Sequence, residues 1–162
     1  MTARAVIAFG ANLGDRRATV LAAMDDLAAA DGVEVTAVSR AIETVALRPE
    51  GADPSAPAYL NGVALVRTDL PPEELLALLH RIEADHGRVR VEHWGDRTLD
   101  LDLIDFDGQR RDDPHLTLPH PRAAERDFVL RPWLEVEPDA ELPGRGRVAE
   151  LLAALDAGGG AR

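Results

Sequence analysis

Between Leu99 and Ile104 the chain alternates strictly: Leu99, Leu101 and Leu103 are separated by Asp100 and Asp102. Period-two alternation of this kind describes a β-strand with one apolar face and one polar face. Aspartate is a poor strand former, so its use at two alternate positions requires compensation. Residues i and i+2 of a strand point to the same side, which sets the two carboxylates next to each other with the leucines packed behind them. Such a pair repels itself unless a cation lies between, and oxygen donors suit hard ions such as magnesium. A half-exposed strand with a solvated acidic face fits the same alternation, so this pattern alone leaves both readings open.

Composition narrows the function classes. A chain of 162 residues, 46% of them hydrophobic, reads as a single domain over 1–157 with a substantial core. No apolar run approaches membrane-spanning length, and Met1-Thr2-Ala3-Arg4 leads directly into a strand-like segment, so neither membrane insertion nor secretion is expected. Cysteine is absent, which removes disulfides, thiolate zinc sites and cysteine nucleophiles, and fits the cytoplasm. A net charge of −11 argues against nucleic acid as a partner, because such binding rests on neutralising many phosphates.

The positive charge is nevertheless concentrated. All 18 basic residues are arginine, so lysine Schiff-base chemistry and the lysine of a phosphate-binding P-loop are both impossible. Arg88, Arg90, Arg97, Arg110, Arg111, Arg122, Arg126 and Arg131 fall in one segment, and His80, His86, His93, His115 and His120 lie in or just before it. Guanidinium groups grip phosphate oxygens through paired hydrogen bonds, so arginines around an acidic metal site suit a polyphosphate. Any one of these arginines reads as surface charge; the cluster carries the information.

Hydrophobic periodicity orders the elements. Ala5 to Phe9 reads as a strand, and Arg16 to Ala30 as a helix with Val20, Leu21, Met24, Leu27 and Ala28 on one stripe. Val33 to Thr44 reads as a strand, Arg48 to Pro57 with its three prolines as a loop, and Tyr59 to Thr68 as a strand. Pro71-Pro72-Glu73-Glu74 starts a helix that buries Leu75, Leu78, Leu79 and Ile82 and stops at Gly87. Thr98 to Phe106 is the strand that carries the aspartates. The result is an α+β, ferredoxin-like βαββαβ core with a mainly antiparallel sheet and helices on one face. C-terminal additions follow: an edge strand at Leu116 to Leu118, helices at Phe128 to Val136 and Val148 to Leu155, and a disordered tail over 158–162.

Several strings then occur in a specific order: Gly10-Ala11-Asn12-Leu13-Gly14-Asp15, Glu43-Thr44, Tyr59-Leu60-Asn61, Arg81-Ile82-Glu83, Gly87-Arg88-Val89-Arg90, Trp94 to Asp102, Leu118-Pro119-His120-Pro121-Arg122, and Arg126-Asp127-Phe128-Val129-Leu130. In order and spacing the chain resembles the 6-hydroxymethyl-7,8-dihydropterin pyrophosphokinases over roughly residues 5 to 139. The resemblance implies ATP-dependent pyrophosphoryl transfer to the pterin's hydroxymethyl oxygen, with release of AMP, in folate biosynthesis. It implies ATP as co-substrate, two magnesium ions on Asp100 and Asp102, and catalytic roles for Arg88 and Arg97 at the phosphates.

For the pterin the same resemblance implies Thr44, Val45, Leu47, Tyr59, Asn61, Trp94, Asp100 and Phe128, with Tyr59 and Phe128 as the stacking pair and Asn61 as the amide. A flat heterocycle edged with donors and acceptors is well held by stacking plus a side-chain amide. For ATP it implies His80, Glu83, Arg88, Arg90, Trp94, Arg97, Leu103, His115, Thr117, His120 and Arg126. Trp133 reads as core. The chain departs from the family's usual residues at Ala11, His80 and Asp96, and in the Val45-Ala46, Arg48 to Pro57 and Arg88 to Trp94 loops. A palm-like nucleotidyl transferase and a non-catalytic ferredoxin-like module are the competing readings. The partners expected are small molecules only, and the expected state is a monomer.

Overall fold

The computed structural model describes residues 2–11, 16–44, 47–48, 51–52, 59–87 and 99–158. Strand β1 (Ala3–Ala11) is followed by α1 (Arg16–Ala29), β2 (Val33–Val38), β3 (Ile42–Thr44), β4 (Leu47–Arg48), β5 (Gly51–Ala52), β6 (Tyr59–Thr68) and α2 (Pro72–Gly87). Strand β7 (Leu99–Phe106), β8 (Arg111–Asp113), β9 (Leu116–Leu118), a 3-10 turn (Ala123–Glu125), α3 (Asp127–Val136), β10 (Glu141–Leu142), β11 (Gly146–Arg147) and α4 (Val148–Gly158) complete the chain.

The main sheet runs β2-β6-β1-β7, every pairing antiparallel, with β3 continuing alongside β6. That is the strand order of a ferredoxin-like split-βαβ core, as the sequence predicts. The single strand expected over Val33 to Thr44 is broken in two at Ser39. There the Ser39 N–H donates to the Val63 carbonyl at 2.8 Å, and its hydroxyl accepts the Val63 N–H at 2.9 Å. The side chain has taken over a ladder bond, so the chain leaves the sheet without orphaning its neighbour. The loop expected at Arg48 to Pro57 instead contains all but Leu47 of a short hairpin pairing, Leu47–Arg48 against Gly51–Ala52. Leu116–Leu118 pairs with Arg111–Asp113 in a separate hairpin rather than extending the sheet. Gly158, assigned to the tail, closes α4; residues 159–162 lie outside the described ones.

Two cores sandwich the sheet. Ile7, Phe9, Leu101 and Leu103 pack under α1 and α2 against Leu27, Leu75, Leu79 and Ile82. On α1 the buried residues are Val20, Ala23, Met24 and Leu27, whereas Leu21 is 62% exposed. The opposite face is covered by the C-terminal helices α3 and α4, to which the sequence reading assigns no face: Val6, Ala8, Val63 and Ile104 meet Val129, Leu130, Trp133 and Leu152. A bulge in the β1/β7 pairing, where Val6 faces Asp105 and Ile7 faces Leu103, shifts the alternation of β7 by one, so that Phe106 packs in the same core as Leu101 and Leu103 while Ile104 serves the opposite one.

Candidate active site

The cover over the second face ends before the sheet does. On β7, Asp100 and Asp102 point away from the leucine core and are only half-buried. Across β1 the register pairs Gly10 with Asp100 on one side and with Asn61 on the other. Asn61, Gly10 and Asp100 therefore form one row across three strands, all on the α3 face, with Asn61 and Asp100 two strand spacings or ~10 Å apart at the backbone. Glycine in the middle leaves the amide its place: a Cβ on Gly10 would stand 2.9 Å from Asn61 Oδ1 and displace it. The next row, Val63, Ala8 and Asp102, continues the shallow floor.

The wall of this floor comes from the segment entering α3. After β9, His120 donates its N–H to the Ile104 carbonyl at 2.8 Å, and its Nδ1 accepts the Arg122 N–H at 3.2 Å. That leaves Nε2 to carry the proton of the neutral ring. Burial lowers the His120 pKa, with Arg126 and Arg122 acting in the same direction and Asp102 opposing them. Arg126 lies 3.9 Å from Asp102 and stacks over the Phe128 ring, 5.7 Å from its centroid. Asp102, His120, Arg126 and Phe128 thus converge at the start of α3. At the other end of the row, β3 pairs Thr44 with Tyr59 and Ile42 with Asn61, so the backbones of Thr44 and Tyr59 meet at the mouth of the floor.

The remaining candidates lie elsewhere. Leu103 is buried under α2. Glu83 is buried as well, and its Oε2 accepts the Leu101 N–H at 2.7 Å, covering the edge of β7 that has no strand partner among the described residues. His80, one turn earlier, is exposed. His115 and Thr117 are exposed on the β8–β9 hairpin. The nucleotide candidates therefore straddle β7, some on the α2 side and some on the α3 side. Leu47 lies on β4, paired with Ala52. Val45, Arg88, Arg90, Trp94 and Arg97 lie outside the described residues.

Among the described residues no set of three or more His, Cys, Asp or Glu gathers as a self-sufficient metal cage. Two half-exposed carboxylates on one strand face fit magnesium of the kind that takes its other ligands from phosphates and water. A cavity of about 350 Å³ behind the β8–β9 hairpin is lined by Arg110, Arg111, Thr117, His120 and Arg145, a cationic surface beside the same residues. A larger one of about 610 Å³ opens at the far end of the sheet, around Arg4, Arg67, Asp105 and Glu137. It lies some six residues or ~20 Å along β1 from Gly10 and has none of the candidate residues in its lining.

Gly10 is a site-forming residue whose role the motifs of the sequence do not mark. The signal for it is a glycine at the end of an otherwise continuous apolar strand, which marks close approach of another group.

Comparison with known proteins gives one consistent result. The profile of the 7,8-dihydro-6-hydroxymethylpterin-pyrophosphokinase family matches residues 6–138. The chain is 41% identical over 154 residues to the 2-amino-4-hydroxy-6-hydroxymethyldihydropteridine pyrophosphokinase of Pseudomonas aeruginosa, covering 95% of this chain and 93% of that protein. It is 38% identical over 156 residues to the protein of the same name from Methylorubrum extorquens, covering 96% of each. Among solved structures, wild-type HPPK-DHPS of Plasmodium falciparum with SDX-DHP superimposes with a TM-score of 0.69 at 12% identity, over 96% of this chain. The crystal form with pteroate gives 0.69 at 14% identity, over 97% of this chain. This chain spans less than half the length of those two solved chains, 44% and 43% respectively, and at such identity the likeness concerns the fold.

Proposed function

Because the chain belongs to the 7,8-dihydro-6-hydroxymethylpterin-pyrophosphokinase family, we propose that its reaction takes place on the floor bounded by Asn61, Gly10 and Asp100. The chain transfers pyrophosphate from ATP to the hydroxymethyl group of 6-hydroxymethyl-7,8-dihydropterin in folate biosynthesis. One observation carries the assignment of the site: an amide and a carboxylate face one another across a glycine, about 10 Å apart, with a second carboxylate one row on. That span suits a bicyclic heterocycle lying along the row. Its amide-like edge meets Asn61, and its hydroxymethyl arm ends beside Asp100.

In this reading Phe128 and Tyr59 sandwich the ring, and Thr44, Val45, Leu47 and Trp94 complete the pocket. Transfer at the β-phosphorus needs the attacking oxygen and the AMP leaving group in line, with the negative charge between them offset. Asp100 and Asp102 would hold two magnesium ions, which when bound neutralise phosphate charge and favour loss of the hydroxymethyl proton. Arg126, held between Asp102 and Phe128, supplies a guanidinium at the edge of the same floor. His120, kept neutral by burial, donates from Nε2 without bringing another charge to Asp102. Arg88, Arg90 and Arg97 are assigned to the triphosphate, and His80, Glu83, Leu103, His115 and Thr117 to the nucleoside side. A single domain over 1–157 acting as a monomer in the cytoplasm completes the proposal.

The assay is direct. The protein is mixed with ATP, magnesium and 6-hydroxymethyl-7,8-dihydropterin and the nucleotide products are separated. AMP formed only when pterin is present supports the reading; ADP, or no turnover with intact ATP binding, contradicts it.

A further inference from the structure

The β8–β9 hairpin is a small appendage on the sheet. Leu116 and Leu118 anchor one of its strands in the core under α1 and α2, and the His120 to Ile104 bond ties down the chain just beyond. The other strand, Arg111-Asp112-Asp113, is polar. Arg111 pairs with Glu73 in the first turn of α2. The same Nη2 bonds Asp113 Oδ2 at 3.0 Å. Asp113 Oδ1 in turn accepts the Leu116 N–H at 2.9 Å and the His115 N–H at 3.2 Å.

One guanidinium thereby joins the start of α2, through a carboxylate, to the backbone of the turn that bears His115. Arg111 holds the carboxyls of both Glu73 and Asp113 below their ordinary range. An isolated surface ion pair contributes little to stability. This chain of charge-assisted bonds differs because it ends on backbone N–H groups and connects two elements that no ladder connects, so its effect is geometric.

We infer that Arg111 is a positioning residue for nucleotide binding: it fixes the tilt of the hairpin presenting His115 and Thr117 against the helix presenting His80. The inference rests on the proposal that these three residues contact ATP. Arg111 acts through Glu73 and Asp113 rather than on the reacting atoms, and that gives it a distinctive signature. Removing either end of the clamp has the same effect, and removing both adds nothing.

The test uses the whole protein with magnesium-ATP as the probe, comparing wild type with Arg111→Ala, Arg111→Lys, Glu73→Gln and the Arg111→Ala/Glu73→Gln double variant. Calorimetry gives the Kd for ATP, steady-state assays give KM for each substrate, and thermal melts report folding. The expected result is a rise of about five- to tenfold in the Kd and KM for ATP in both single variants, with no further rise in the double variant. The pterin KM, kcat and melting midpoint stay near wild type. Arg111→Lys recovers part of the loss, since an ammonium engages one carboxylate at a time.

An unchanged Kd in Arg111→Ala overturns the inference. So does weaker binding in Arg111→Ala but not in Glu73→Gln, which marks Arg111 as a direct phosphate contact. A parallel loss of affinity for both substrates with a lowered melting midpoint marks a merely structural pair and overturns it too. Wild-type protein that binds ATP yet releases no AMP defeats the proposed function instead, and the Kd comparison still decides the role of Arg111.

Discussion

Asn61 and Asp100 stand opposite the same residue, Gly10, from the two strands that flank it. Neither is adjacent to the other in sequence or in the ladder, and the antiparallel order β6-β1-β7 alone brings them into one row. The polar ends of the row are separated by the width of a strand without a side chain. The first test of that arrangement is Gly10→Ala, whose Cβ would meet Asn61 Oδ1 at 2.9 Å and turn the amide away. We expect the pterin KM to rise at least about tenfold, the loss of roughly one good hydrogen bond to a buried polar edge, while the ATP KM stays near wild type. An unchanged pterin KM would place the acceptor elsewhere.

Asp102 is paired only distantly with Arg126, at 3.9 Å, and its side chain is 42% exposed, so it contributes little to folding. Asp102→Asn is therefore expected to melt like wild type while kcat falls by about two orders of magnitude or more, the scale seen when charge stabilisation is removed from a reacting centre. Retention of most of the turnover would remove Asp102 from the machinery.

Glu83 covers the Leu101 N–H between the two aspartates. Glu83→Ala leaves that buried donor without its carboxylate, at a cost of about 1–3 kcal/mol in urea unfolding. Activity falls as well, because the edge of β7 that carries Asp100 and Asp102 loses its support. Glu83→Gln keeps an acceptor oxygen and should recover most of both.

Asp105 offers a pH signature unrelated to catalysis. Burial pushes its carboxyl up to about 6, and its Oδ1 has no hydrogen-bond partner among the described residues. A folded pKa above the unfolded one means that folding favours the protonated form. Asp105 therefore does least harm below about pH 4, and its penalty grows as pH rises through 6. Asp105→Asn should raise unfolding free energy at pH 8 by about 1–2 kcal/mol, discounted for partial exposure, and change little at pH 4. Equal effects at the two pH values would contradict this.

The parts of the fold legible in sequence are those fixed by local pattern. Alternation marked β7, and the proline and acidic start with its Leu75, Leu78, Leu79 and Ile82 stripe marked α2. What the pattern hid was decided by tertiary contacts. The break at Ser39 depends on a hydroxyl reaching Val63, and no local signal distinguishes that serine from one inside a strand. His80 and Glu83 look like a surface pair at i, i+3, yet only Glu83 turns under the edge of β7. The second core had a readable trace: Val6 and Ala8 make β1 apolar on both faces, which demands cover on both sides. The aspartate pair was visible for a related reason, since a strand rarely spends two positions on carboxylates. Gly10 was not, because its role depends on which strands lie beside it.

Asp100 and Asp102 are the proposed metal-binding pair. The most direct measurement is a crystal structure of the protein with manganese, a non-hydrolysable ATP analogue and 6-hydroxymethylpterin, read by the anomalous signal of the metal. Anomalous peaks within coordination distance of both carboxylates, with the pterin edge against Asn61, are the expected result. Peaks away from β7, or a pterin bound outside the row that Gly10 centres, would contradict it.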